Sequence, residues 1–94
     1  MLKIAICDDE TWFLQQAAEN FVQEYLHSHP ELSGQIRPFR YGQDLLYQVE
    51  ETGGFDLYLL DIIMPGLNGI QTGQQLRELS DGGEIVYLTT SSDY

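Results

Sequence analysis

The sequence predicts an α/β domain built on a doubly wound parallel sheet. Three observations carry this. Short apolar runs alternate with amphipathic segments along the whole chain, most of those runs are hydrophobic without polar alternation, and the connections are short. Such alternation favours crossovers that lay helices on both faces of one sheet, and a strand covered on both faces reads as a continuous apolar run. At 94 residues the chain, 1–94, is read as one domain, since domains typically run to roughly 100–150 residues. A hydrophobic content of 43% excludes a disordered tail.

The first strand is read over Leu2–Cys7 and runs directly into Asp8-Asp9-Glu10. From about Thr11 to Ser28, Leu14, Ala17/Ala18, Phe21/Val22 and Tyr25/Leu26 recur at helical spacing, until Pro30 and Gly34 break the pattern. Gln35–Arg40 is a weaker strand, and its Pro38 suggests an edge position, because proline cannot donate to a sheet ladder. Gln43–Glu51 places Leu45, Leu46 and Val49 on one helical face, closed by Gly53-Gly54. Asp56–Leu60 is a strongly apolar strand ending at Asp61. A loop over Ile62–Asn68 and a helix through Ile70, Gly73, Leu76 and Leu79 follow. Glu84–Thr89 is the last strand.

Charge narrows the function. Four Lys and Arg against fifteen Asp and Glu leave a net charge of −11. That balance argues against binding nucleic acid through its phosphates and against an anionic membrane surface. No apolar run approaches the roughly 18–20 residues of a membrane-spanning helix. One cysteine excludes an internal disulfide framework and fits a reducing cytoplasm.

In open parallel sheets, ligands collect beyond the carboxyl ends of the strands. Two apolar strands here end in carboxylates, Asp8-Asp9 and Asp61, and a third ends in the hydroxyls Thr89-Thr90. If the strands are neighbours, those acids stand about 4.8 Å apart laterally and repel one another. A divalent cation with oxygen ligands, Mg²⁺, would offset that repulsion and leave room for water and phosphate oxygens. Helix capping accounts for one acid at a strand–helix junction, as at Asp9, or for Asn68 before the third helix. It leaves two adjacent acids plus a third on another strand unexplained.

Cys7-Asp8-Asp9-Glu10, Leu60-Asp61-Ile62-Ile63-Met64-Pro65-Gly66-Leu67-Asn68-Gly69 and Val86-Tyr87-Leu88-Thr89-Thr90 together resemble the receiver domain of bacterial two-component response regulators. The ending Leu88–Tyr94 looks like receivers that carry a LytTR-type DNA-binding, transcription-regulating output domain. The resemblance implies a flavodoxin-like receiver fold with strands in the order 2-1-3-4 and three helices, truncated before a fifth strand, which bears a lysine, and a fifth helix. It implies that Asp61 accepts a phosphoryl group from a phosphohistidine on a histidine kinase. Asp9, Asp61 and Asp8, the last largely through water, would hold Mg²⁺ together with the Ile63 main-chain carbonyl. Thr89 and Thr90 would bind the phosphoryl group and switch, while Ile63 and Ser91 would tune hydrolysis. An apolar Ile63 is expected to hinder an attacking water and lengthen the life of the acyl phosphate.

Without the fifth strand and helix, the fourth strand is expected to leave an apolar edge at Ile85–Leu88, with uncovered surface near Trp12 and Phe13. Self-association through that edge or surface is the expectation. Two other functions compete. An aspartate-nucleophile phosphohydrolase of the haloacid dehalogenase type expects a second Asp where Ile63 stands. A phosphorylation-independent interaction domain would need no chemistry at Asp61. Among the remaining residues, Cys7 reads as a packed core thiol and the tyrosines as core and rim. His27 and His29 read as solvated groups at a helix end, and Gly66 and Gly69 as glycines that free the loop after Asp61.

Overall fold

A computed structural model of the chain describes residues 2–8, 11–31, 33–79 and 82–88; within the first helix it describes the side chains of 16, 19, 20 and 22–28. The elements alternate as expected: β1 (Leu2–Cys7), α1 (Thr11–Ser28), β2 (Gly34–Phe39), α2 (Gly42–Thr52), β3 (Leu57–Asp61), α3 (Gly69–Glu78) and β4 (Glu84–Leu88). All pairings are parallel, and the order is β2-β1-β3-β4. Pro38 therefore sits on an outer strand, facing Ile6 in the register, as its missing N–H requires.

Alternation along β1 sorts its side chains between two layers. Ala5 and Cys7 join Leu45, Leu46 and Val49 of α2, Tyr58 and Leu60 of β3, and Leu76 of α3 in the main core. Ile6 turns to the opposite face, with Ile36, Leu59 and Leu88 around it. Below them on that face, Ile4 meets Val22 and Leu26 of α1 around an apolar cavity. Leu45, Leu60 and Leu76 are fully buried, each contributing about 1.5–3 kcal/mol. Among the described residues Tyr58 is the largest fully buried side chain, and its hydroxyl accepts the Phe55 N–H at 2.8 Å, so the ring fills the core without stranding its polar end.

Element boundaries differ from the sequence reading by one or two residues, for local reasons. Asp56 stands outside β3, because its carboxylate accepts the Lys3 N–H at 2.8 Å while its own N–H donates to the Lys3 carbonyl. Asp61 closes β3, held in register opposite Leu88. Tyr41 caps α2 in extended conformation, so the helix begins at Gly42 and runs to Thr52; Gly53, at φ 94°, then turns the chain out.

Candidate functional site

The helices all begin just past the carboxyl ends of strands, so this end of the sheet gathers both the polar strand termini and the positive ends of the helix dipoles. Cys7 is the register partner of Leu60. The next residue on each strand is an aspartate, which puts Asp8 and Asp61 side by side on neighbouring strands. Each is only 1% exposed. Asp8 continues the ladder to β2 by donating its N–H to the Phe39 carbonyl at 3.0 Å. Its Oδ2 is sealed from solvent.

The segment after Asp61 is tied down at several points. Ile62 donates its N–H to the Leu88 carbonyl at 2.9 Å, linking the loop to the end of β4. The Ile63 N–H donates to Asp61 Oδ1 at 3.3 Å, so the backbone folds over the carboxylate, while the Ile63 side chain stands 57% exposed. Met64 turns back into the core, its thioether 3.8 Å from the Cys7 thiol. Asn68 then starts α3 with a reciprocal cap: its side chain accepts the Gln71 N–H at 2.8 Å, and the Gln71 side chain accepts the Asn68 N–H at 3.0 Å.

Cys7 reports the electrostatics of this end. Burial, and then the charges of Asp8, Asp44 and Asp61, push its thiol up from 9.0 to about 12. Asp44, in the first turn of α2, was not singled out from the sequence, where it reads only as a helix-start acid. Of the four basic side chains, Arg40 alone follows the carboxyl end of a strand, and its guanidinium lies 5.8 Å from the Tyr41 ring. Lys3 lies at the far, amino end of β1, with its ammonium 3.3 Å from the Gly54 carbonyl.

Buried carboxylate oxygens and main-chain carbonyls are the donor set that a hard divalent cation takes, so Asp8, Asp61 and the loop at Ile63 suit Mg²⁺ in kind. Among the described residues no group of three or more His, Cys, Asp or Glu side chains is placed to hold a metal ion. Asp9, the further expected ligand, lies outside the described residues, as do Thr89, Thr90 and Ser91.

The family model of the response regulator receiver domain matches residues 4–94. The chain belongs to this family. Over 37 residues the receiver is 51% identical to the nitrate/nitrite response regulator protein NarL of Escherichia coli K12; that stretch covers 39% of this chain and spans 17% of NarL. The regulator TrrA of Thermotoga maritima, solved with Mg²⁺ and a beryllium fluoride, superposes with a TM-score of 0.66 at 28% identity, covering 100% of this chain and 74% of that one. TrrA in complex with the histidine kinase ThkA gives a TM-score of 0.74 at 28% identity, covering 100% of this chain and 73% of that one. The expected receiver fold, with its parallel order 2-1-3-4, is therefore the observed one.

One positioning role in the receiver escaped the sequence reading. Gly69 was expected to loosen the loop, but a methyl group placed on it would run into the Asp61 carbonyl, with the Asp61 carbonyl carbon and Ile62 Cα close behind. Gly69 lets the first turn of α3 lie directly against the backbone of the acid, and its own N–H donates to the Ile62 carbonyl at 3.0 Å. Gly66 is the glycine that matches the expectation of conformational freedom, at φ 75°. Only its spacing from the acid distinguishes Gly69 in the sequence, and spacing alone carries no sign of close approach.

Proposed function

We propose that this receiver takes a phosphoryl group onto Asp61 from a phosphohistidine of a partner histidine kinase. The observation that carries the proposal is the juxtaposition of Asp8 and Asp61, both buried, at the ends of adjacent strands. A carboxylate is itself a nucleophile, with no proton to remove, so attack from Asp61 needs no general base. A carboxylate oxygen bonds to phosphorus as the phosphorus–nitrogen bond breaks, and the released imidazole keeps the electron pair. The Ile63 N–H and the loop closed by Asn68 hold the attacking carboxylate in place.

Asp8, Asp61, Asp9 and the Ile63 carbonyl are the residues that would hold Mg²⁺, which when bound neutralises charge between carboxylate and phosphoryl oxygens. Thr89 and Thr90, following directly on β4, supply hydroxyls toward the phosphoryl group and carry the switch. Ile63 and Ser91 set how fast water removes the group; with an apolar Ile63 at the mouth of the site the acyl phosphate is long-lived, and Ile63→Asn shortens its half-life. The module works in the cytoplasm and controls an attached DNA-binding output domain of the LytTR type, and the receiver itself binds no nucleic acid. No helix among the described residues is long and apolar enough to cross a membrane. Self-association through β4 is supported by Val86 and Tyr87, 41% and 42% exposed on that outer strand. A monomer of unchanged mass at high concentration in sedimentation contradicts it.

Phosphoramidate with Mg²⁺, followed by intact mass measurement, tests the proposal. A stable adduct of one phosphoryl group, absent in Asp61→Asn, is expected. Continuous release of phosphate without an adduct would instead identify a phosphohydrolase, and neither adduct nor turnover would leave a phosphorylation-independent interaction domain.

A further inference from the structure

A second surface lies on the two helices that cover the main core. Leu46, Tyr47 and Glu50 of α2 face Glu78 and Leu79 at the end of α3 across a groove of about 380 Å³, which Leu67 of the preceding loop also lines. Leu46 is buried and Leu67 half-buried, so they form a floor. Tyr47, at 65% exposed, and Leu79, at 39%, form walls that leave large apolar surface in water. Glu50 and Glu78 are both exposed and both lie in the last turn of their helix. Helix dipoles are negative at that end, so the carboxylates and the two helix termini add to one another. The groove, which Gln43 and Gln75 also line, therefore has an apolar floor and walls and a negative end; Arg77, in the same last turn of α3, is not among its lining residues.

We propose that this groove docks a basic amphipathic helix of a partner protein. Its apolar residues pack on Leu46, Tyr47, Leu67 and Leu79, and its lysines or arginines lie beside Glu50 and Glu78. A helix fits a groove between two helices because its ridge of apolar side chains repeats on the same spacing as the walls. Charge selects among occupants. Nucleic acids and anionic membranes bring phosphates, which Glu50 and Glu78 repel, where a basic helix is drawn in. The inference is independent of phosphoryl transfer, because neither Asp8 nor Asp61 lines the groove.

The test titrates the isotope-labelled 94-residue chain with a synthetic peptide of about four helical turns, leucines along one face and lysines flanking them. A peptide with glutamates in place of the lysines is the control. Amide shifts confined to the groove are expected, weakened about tenfold by Tyr47→Ala and by the double substitution Glu50→Gln with Glu78→Gln, and weakened by added salt. Asp61→Asn should bind the peptide as tightly as the parent chain. The glutamate peptide should give no shifts. The proposal is overturned by an absence of shifts, by shifts spread over the acidic surface and indifferent to Tyr47→Ala, or by peptide-free self-association that occupies Tyr47. An unchanged amide spectrum away from residue 47 establishes that the Tyr47→Ala chain is folded.

Discussion

The paired strands β1 and β3 have aspartates at both ends of the pair, Asp56 at the amino end and Asp8 with Asp61 at the carboxyl end. At the amino end, Asp56 is exposed and anchored: its carboxylate accepts the Lys3 N–H, its N–H and carbonyl bond to Lys3 and Glu84, and the Lys3 ammonium lies 5.3 Å over the Phe55 ring. At the carboxyl end, Asp8 and Asp61 are buried beside each other, and the thiol between them and the core feels both charges. A fold optimised only for stability would treat both ends like the first. The second keeps like charges out of water and close together, an arrangement whose cost a bound divalent cation would offset.

The two ends should separate most widely at their glycines. Gly69→Ala drives a methyl into the Asp61 carbonyl, whereas Gly53→Ala, at φ 94°, meets nothing within 4 Å. The first should cost about 3 kcal/mol through displacement of α3 and the second about 1 kcal/mol of backbone strain, read by urea denaturation. Equal losses would mean that α3 tolerates displacement and does not brace the acid.

The next contrast is with pH. In the unfolded chain the Cys7 thiol ionises near 9.0, while in the fold it stays protonated to about 12. Above pH 9 the unfolded state thus binds fewer protons, and stability should fall by about 1.4 kcal/mol per pH unit until the folded thiol ionises. Denaturation in chelating buffer should show that slope in the parent chain and lose it in Cys7→Ala.

Substituting the aspartates themselves should give opposite signs. In chelating buffer Asp8→Asn removes one of two neighbouring buried charges and should raise stability by about 1–2 kcal/mol. Asp56→Asn weakens the bond to Lys3 and should lower it by less than about 1 kcal/mol. A loss at both positions would break the contrast. The smallest effect belongs to the loop: Asn68→Ala should cost about 1 kcal/mol through the lost cap on α3, with the helical signal slightly reduced.

Much of this organisation was legible. The run from Leu2 to Cys7 stops at an acid, and Pro38 marks an outer strand, because burial and missing donors leave their mark on residue type. Asn68 was readable as a cap for the same reason. Gly69 was misread, since close packing against another backbone depends on where the chain returns, and Asp44 joined the site only through tertiary placement. Asp56 was placed in a strand because its neighbours are apolar, although its carboxylate is engaged by Lys3, 53 positions earlier.

The most direct test of the carboxylate pair is a Mg²⁺ titration followed through the backbone amides of Asp8, Ile62 and Ile63. Saturable shifts at those three in the parent chain, lost in Asp8→Asn and in Asp61→Asn, are the expected result. Amides that stay still, or that move equally in all three chains, would contradict a shared site at the ends of β1 and β3.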